Sequence, residues 1–206
     1  VNIFHCCAVC SETLMSDADR ARWDERYREG AYQARTHPSA FLEQQVGTLR
    51  GGLALDLACG AGRNAIYLAS LGWQVEGWDI STEALARAAA RAKEHGLEIL
   101  WQPCDLDQAK LPRSRYDLIV QVRYVNRELA SAIADALKPG GVYLCEQHLV
   151  TDREVVGPSN PAFRMAPGEL RESVVGLCIE SYREEYVADP DGRPAALVRM
   201  LARNPK

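Results

Sequence analysis

The stretch Leu55-Asp56-Leu57-Ala58-Cys59-Gly60-Ala61-Gly62-Arg63-Asn64-Ala65 decides the fold. It continues Leu53-Ala54, and the apolar run Leu53 to Leu57, bounded by glycines, predicts a short buried strand. Arg63 to Leu71 carries a helical pattern that ends at Gly72. A strand passing through two glycines into a helix lets a ligand approach the backbone and leaves free N–H groups at the helix start.

Outward from this stretch the same unit repeats. Trp73 to Trp78 alternates and predicts a second strand, and Ser81 caps an alanine-rich helix that runs to His95 and closes at Gly96. Leu97 to Gln102 and Tyr116 to Val122 predict strands three and four. Asn126 to Lys138 predicts a helix stopped by Pro139-Gly140-Gly141, and Val142 to Glu146 a fifth strand. Strands alternating with helices over short connections imply βαβ units and a mainly parallel sheet.

The flanks differ. Upstream, Ser16 to Arg28 predicts a charged helix with Trp23 and Tyr27 on one face, ended by Gly30, and a short helix begins at Pro38. Downstream, His148 to Pro167 is a long excursion rich in Gly, Pro and Asn, a kind of segment that often serves as a lid. Gly168 to Val175 reads as a helix. Leu177 to Val187 and Ala195 to Arg203 are extended runs joined by a turn-rich link, hence an antiparallel hairpin. The expected fold is α/β: a three-layer sandwich around a mostly parallel seven-stranded sheet with a C-terminal antiparallel hairpin.

Three carboxylates point to the ligand. Asp79 ends strand two, nineteen residues after Gly60, where a carboxylate accepts both hydroxyls of a ribose. Gly60-x-Gly62-x-x-Ala65 also fits a dinucleotide fingerprint, so a nicotinamide-dependent oxidoreductase is the competing reading. Asp56, at the end of strand one, would repel a pyrophosphate but suits the ammonium or sulfonium side of S-adenosyl-L-methionine. Asp105, after strand three, is placed to accept from an adenine amino group. The plain structural alternatives are a helix-facing charge for Asp56, a competing cap for Asp79 and a turn residue for Asp105.

Composition sets the outer bounds. The 206 residues are 47% hydrophobic and 25% charged, enough for one domain with a real core. Twenty-four basic against 28 acidic residues give a net charge of −4, which argues against a dedicated nucleic-acid binder. No apolar run approaches the roughly 20 residues needed to span a bilayer. Three of seven cysteines crowd into Cys6, Cys7 and Cys10. Cys7-x-x-Cys10 lacks the further pair that a structural zinc site needs, so no metal is expected. The first 14 residues hold no Lys or Arg, hence no export signal. Residues 1–15 are expected to be a disordered leader, with 16–206 a single domain in the cytoplasm. Cys59, Cys104, Cys145 and Cys178 are expected to behave as small buried hydrophobes.

With these residues in place, the chain resembles class I S-adenosylmethionine-dependent methyltransferases over about residues 20–206. It looks closest to the tellurite-resistance (TehB-like) group, through Leu55 to Asn64, Tyr67-Leu68, Leu71-Gly72, Trp78-Asp79, Gly168-Glu169-Leu170 and Leu201-Ala202-Arg203. The chain departs from the family at Ala58, where the glycine-rich loop usually starts with glycine. It departs again before the last strand, where the tellurite enzymes carry a His and an Arg and only Arg193 matches. Arg123-Tyr124 replaces a hydrophobic run.

The resemblance implies in-line methyl transfer to a small-molecule acceptor, a tellurite-like oxyanion or a thiol. A non-catalytic binder of the same cofactor is the reading from another class. The loop Ala58, Gly60, Gly62 with Asp56 would hold the methionine portion, and Arg63 its carboxylate. Asp79 and Ile80 would hold the ribose side, and Asp105 with Leu106 the adenine. Arg123, Tyr124 and His148 follow strands four and five and are the catalytic candidates, with His148 as a base. Trp23, Tyr27 and Arg127 are the substrate-side candidates, and arginines there favour an anionic acceptor.

Overall fold

A computed structural model describes residues 9–189 and 192–205, with side chains from residue 17 onward. Its centre is β1 (Leu53–Leu57), which lies between β2 (Gln74–Asp79) and β4 (Tyr116–Val122). The sheet order is β3-β2-β1-β4-β5-β7-β6, with β3 at Leu100–Pro103, β5 at Leu137–His148, β6 at Cys178–Ala188 and β7 at Pro194–Arg203. β1 pairs in parallel with β2 and β4, β2 with β3, and β4 with β5. β7 pairs antiparallel with both β5 and β6, so it alone runs against the other strands. The expected α/β sandwich with its C-terminal hairpin is the observed one.

Strand alternation divides the core in two. Leu55 and Leu57 of β1 face one side with Ile119, Tyr143 and Val198, under α5 (Leu129–Ala136) and α6 (Glu169–Ser173). Ala54 faces the other side with Leu118, Val120 and Leu144, under α2 (Ala40–Val46) and α3 (Arg63–Ser70). α4 (Thr82–Glu94) buries Ala84, Leu85, Ala88 and Ala92. Each buried leucine contributes roughly 1.5–3 kcal/mol.

Several boundaries move. α1 spans Val9–Arg28, so the helix starts before the expected Ser16 cap; residues 1–8, with Cys6 and Cys7, lie outside the described residues. Pro38 precedes α2, whose N-cap is Ser39, its hydroxyl accepting from Phe41 N and Leu42 N. The helix expected over Asn126–Lys138 shortens to Leu129–Ala136, because Leu137 pairs with Tyr116 and begins β5. Gly141 allows this: a Cβ there would lie 2.9 Å from the carbonyl oxygens of Lys138 and Tyr116. Cys59 and Cys145 are buried as expected, but Cys178, the first residue of edge strand β6, is exposed. No helix among the described residues is long and apolar enough to cross a membrane, and no group of His, Cys, Asp and Glu there could hold a metal.

Candidate cofactor site

The parallel strands end together, and their carboxyl ends bring the predicted acidic residues onto one edge. Asp56 sits at the β1 end beside Gly77 of β2, and Asp79 ends β2 beside Pro103. The Asp56 carboxylate is buried and accepts from Ala65 N at 3.1 Å, so it also caps α3. Asp79 is buried and accepts from Gly60 N at 2.7 Å and Ser81 N at 2.8 Å. Asp105 accepts from Asp107 N at 3.0 Å, which holds its turn, and Leu106 is buried behind it. Ile80 is half-buried at the start of α4.

Burial dominates the electrostatics. Desolvation raises the Asp56 pKa to about 7, against the opposing pull of Arg63 and the Ala65 N–H. Asp79 is raised for the same reason, against its bonds from Ser81 and Gly60. Asp56 also feels the negative charge of Asp79, so a bound cation would favour the ionised form of this buried pair.

The glycines of the loop have different tasks. Gly60 has φ +54°, and a Cβ there would collide with the Tyr27 hydroxyl. Gly62 has φ +75°, and a Cβ there would lie 2.6 Å from the Trp101 ring and 2.9 Å from Ala88. Its second role is therefore packing of β3 and α4. Ala58 stands at φ +52°, a left-handed conformation that favours the glycine it replaces.

Helix α1 covers the loop. Asp24 accepts from Ser81 Oγ at 2.7 Å, Thr82 Oγ1 at 3.2 Å and Glu83 N at 3.1 Å, clasping the start of α4. The clasp seats Tyr27, buried, over Gly60, and Tyr32 packs on Tyr27 with ring centroids 5.9 Å apart. Trp23 is half-buried with the Arg26 guanidinium 4.9 Å from its ring centre. Asp24 escaped the sequence reading; its signal is its place one turn before Tyr27 on the same helix.

The residues after β4 and β5 are largely engaged with one another. Arg123, at φ +60°, donates to both Asp189 oxygens, one at 2.7 Å, and lies 3.5 Å from Glu146. Glu146 is buried and also accepts from Arg199 Nε at 2.9 Å and Ser39 Oγ at 3.2 Å. The Tyr124 hydroxyl donates to Asp107 at 3.1 Å, and its carbonyl accepts from Gln121 and Gln147, both at 2.8 Å. Arg127 pairs with Glu169 and donates to the carbonyls of Ala162 and Arg164, pinning the excursion. His148 is buried, and burial with nearby Arg123 and Arg164 lowers its pKa to about 3. Its Nδ1 has no hydrogen-bond partner among the described residues and would touch a Cβ at Gly157.

Residues 54–141 match the family model of the methyltransferase domain. The chain is similar to TehB of Haemophilus influenzae, described as a probable S-adenosyl-L-methionine-dependent methyltransferase. The two are 33% identical over 125 residues, 57% of this chain and 43% of that protein. The solved TehB structure from that organism covers 88% of this chain and 67% of its own, with 26% identity and a TM-score of 0.71. The ubiquinone biosynthesis O-methyltransferase of Burkholderia orbicola is 32% identical over 99 residues, 45% of this chain and 43% of that protein. The chain thus spans less than half the length of these two curated relatives.

Proposed function

We propose that this chain transfers the methyl group of S-adenosyl-L-methionine to a small-molecule acceptor in the cytoplasm. The observation that carries the reading is the placement of Asp56, Asp79 and Asp105 at or just past the carboxyl ends of three adjacent parallel strands, with Asp79 bonded to Gly60 of the glycine loop. The relatives named above support it.

When bound, S-adenosylmethionine supplies a methyl group on a sulfonium that is already a good leaving group. The chain's own residues then align and exclude water, and alignment alone is worth effective molarities on the order of 10⁵ M. Asp79 and Ile80 hold the ribose side, Asp105 and Leu106 the adenine, and the Ala58–Gly62 loop with Asp56 the methionine portion. Tyr27 and Trp23 close the site from α1. Arg123 and Arg127 act as positioning residues, one tying the β6–β7 link to the β4 end, the other holding the excursion over the sheet edge. Tyr124 orders the space between them. His148 stays neutral at physiological pH, so it offers a lone pair and no charge to an acceptor there. Such a site takes an oxyanion or thiol acceptor that is already deprotonated and needs no strong base.

Thermal melting with S-adenosylmethionine, S-adenosylhomocysteine and NAD tests the cofactor. The first two should raise the melting temperature; stabilisation by NAD alone would reject the reading. Labelled-methyl transfer over oxyanions, thiols and carboxylates then identifies the acceptor.

A further inference from the structure

A cleft of about 150 Å³ opens between α2 and the C-terminal hairpin. Its walls include Phe41 of α2, Ser181, Arg183 and Glu185 of β6, and Arg199 of β7. The sheet order places β7 three strands and β6 four strands away from β1. At roughly 4.8 Å per strand, the cleft lies about 14–19 Å along the sheet from the strand that carries the glycine loop.

The antiparallel register sets Arg183 directly opposite Arg199 on one face of the hairpin. Like charges in that position repel. Arg199 is answered twice, by Glu146 at 2.9 Å and by Glu185 at 2.7 Å. The Arg183 guanidinium makes no hydrogen bond or ion pair among the described residues. Ser181, two places before it on β6, has a buried hydroxyl with no hydrogen-bond partner among those residues. A buried hydroxyl of this kind costs stability until a polar group meets it.

Charge balance selects the ligand. Arg183 and Arg199 bring two positive charges against the two negative charges of Glu185 and Glu146. A bare anion or a bare cation upsets that balance, and a zwitterion keeps it. Arg183 and Glu185 leave the same side of β6 roughly 6.5–7 Å apart, a span that an ammonium and a carboxylate on one carbon bridge. The guanidinium fork matches a carboxylate. Arg199 takes one oxygen of Glu185 and leaves the other for an ammonium. Phe41 supplies an apolar wall, and an engineered cavity of about 150 Å³ admits benzene, which sets the size of the occupant.

We propose that this cleft is a second ligand site, taking a small α-amino acid as its zwitterion: carboxylate on Arg183 and Ser181, ammonium on Glu185, side chain against Phe41. The inference does not depend on the cofactor reading above.

Thermal melting of the full chain with each common amino acid at roughly 10 mM finds the occupant. Calorimetric titration with the strongest binder then compares the wild-type chain with Arg183→Gln and Ser181→Ala. Arg183 is exposed and makes no ion pair among the described residues, so its replacement leaves the fold standing. Arg183→Gln should weaken binding roughly tenfold or more, and Ser181→Ala about threefold. The amine and the carboxylic acid that each lack one charge of that amino acid should bind at least about tenfold more weakly. Saturating S-adenosylhomocysteine should leave the affinity within about twofold, as expected of separate sites. Absence of any melting shift overturns the proposal, and so does full affinity in Arg183→Gln or displacement by S-adenosylhomocysteine. Equal binding of the plain carboxylic acid overturns the zwitterion assignment.

Discussion

Arg123 and Asp189 meet as a buried, two-pronged ion pair, although 66 positions separate them in the chain. The guanidinium leaves the end of β4 and the carboxylate follows β6, so the pair ties the C-terminal hairpin to the middle of the sheet. Arg123→Ala removes the two-pronged donor from Asp189 and one of the two cations on Glu146. We expect a loss of roughly 3–5 kcal/mol, the usual consequence of removing one partner of a buried pair. Urea unfolding measures it. Reduced turnover at unchanged stability would instead put Arg123 in contact with substrate.

Asp79 fixes the loop through Gly60 N and Ser81 N, and the proposed function gives it the ribose as well. Asp79→Ala should weaken S-adenosylhomocysteine by about a hundredfold, as two hydrogen bonds to a charged acceptor are lost. It should also lower the melting temperature, because Gly60 N and Ser81 N lose their acceptor. Calorimetry and a thermal melt read the two effects separately; unchanged affinity would reject the ribose assignment.

Ala58 at φ +52° stores backbone strain. The left-handed conformation costs roughly 1–2 kcal/mol for a residue with a Cβ, and glycine recovers this less its greater chain entropy, roughly 0.5–1 kcal/mol. Ala58→Gly should therefore stabilise the fold by up to about 1 kcal/mol in urea. Ala58→Val should be clearly destabilising, since branching at Cβ worsens the same clash.

Asp56 sets a pH dependence. Its carboxyl has a folded pKa of about 7 against 3.8 when free. Between these values the folded chain holds the extra proton, so this group's contribution to stability is full below about pH 4 and is lost as pH rises through 7. A cationic ligand favours the ionised form, so affinity for S-adenosylmethionine should increase from pH 6 to 8, with a proton released on binding. Titration in buffers of different ionisation enthalpy detects that proton, and Asp56→Asn should abolish its release.

Local pattern carried a good part of this molecule. β1 and β4 have the predicted bounds, Ser81 is the predicted cap of α4, and the hairpin of β6 and β7 forms as its turn-rich link implied. These features depend on alternation, capping and turn chemistry, which act over a few residues. The strand ends also follow from the chain, because the parallel βαβ pattern sets Asp56 and Asp79 on one edge. The start of β5 was hidden, since Leu137 sits in a helical pattern and joins the sheet only by pairing with Tyr116.

Partner choice belonged to the tertiary structure. The arginines after β4 were legible as cations near the sheet edge, but their commitment to Asp189 and Glu169 depends on loops folding back over 66 and 42 positions. The same holds for Asp24 on the start of α4 and for Trp101 against Gly62. Such pairs carry no periodic signal, because long loops bring together groups whose spacing is arbitrary. The sequence alone determined a parallel sheet with an acidic edge over a glycine turn. Only the folded chain decided which charges neutralise one another.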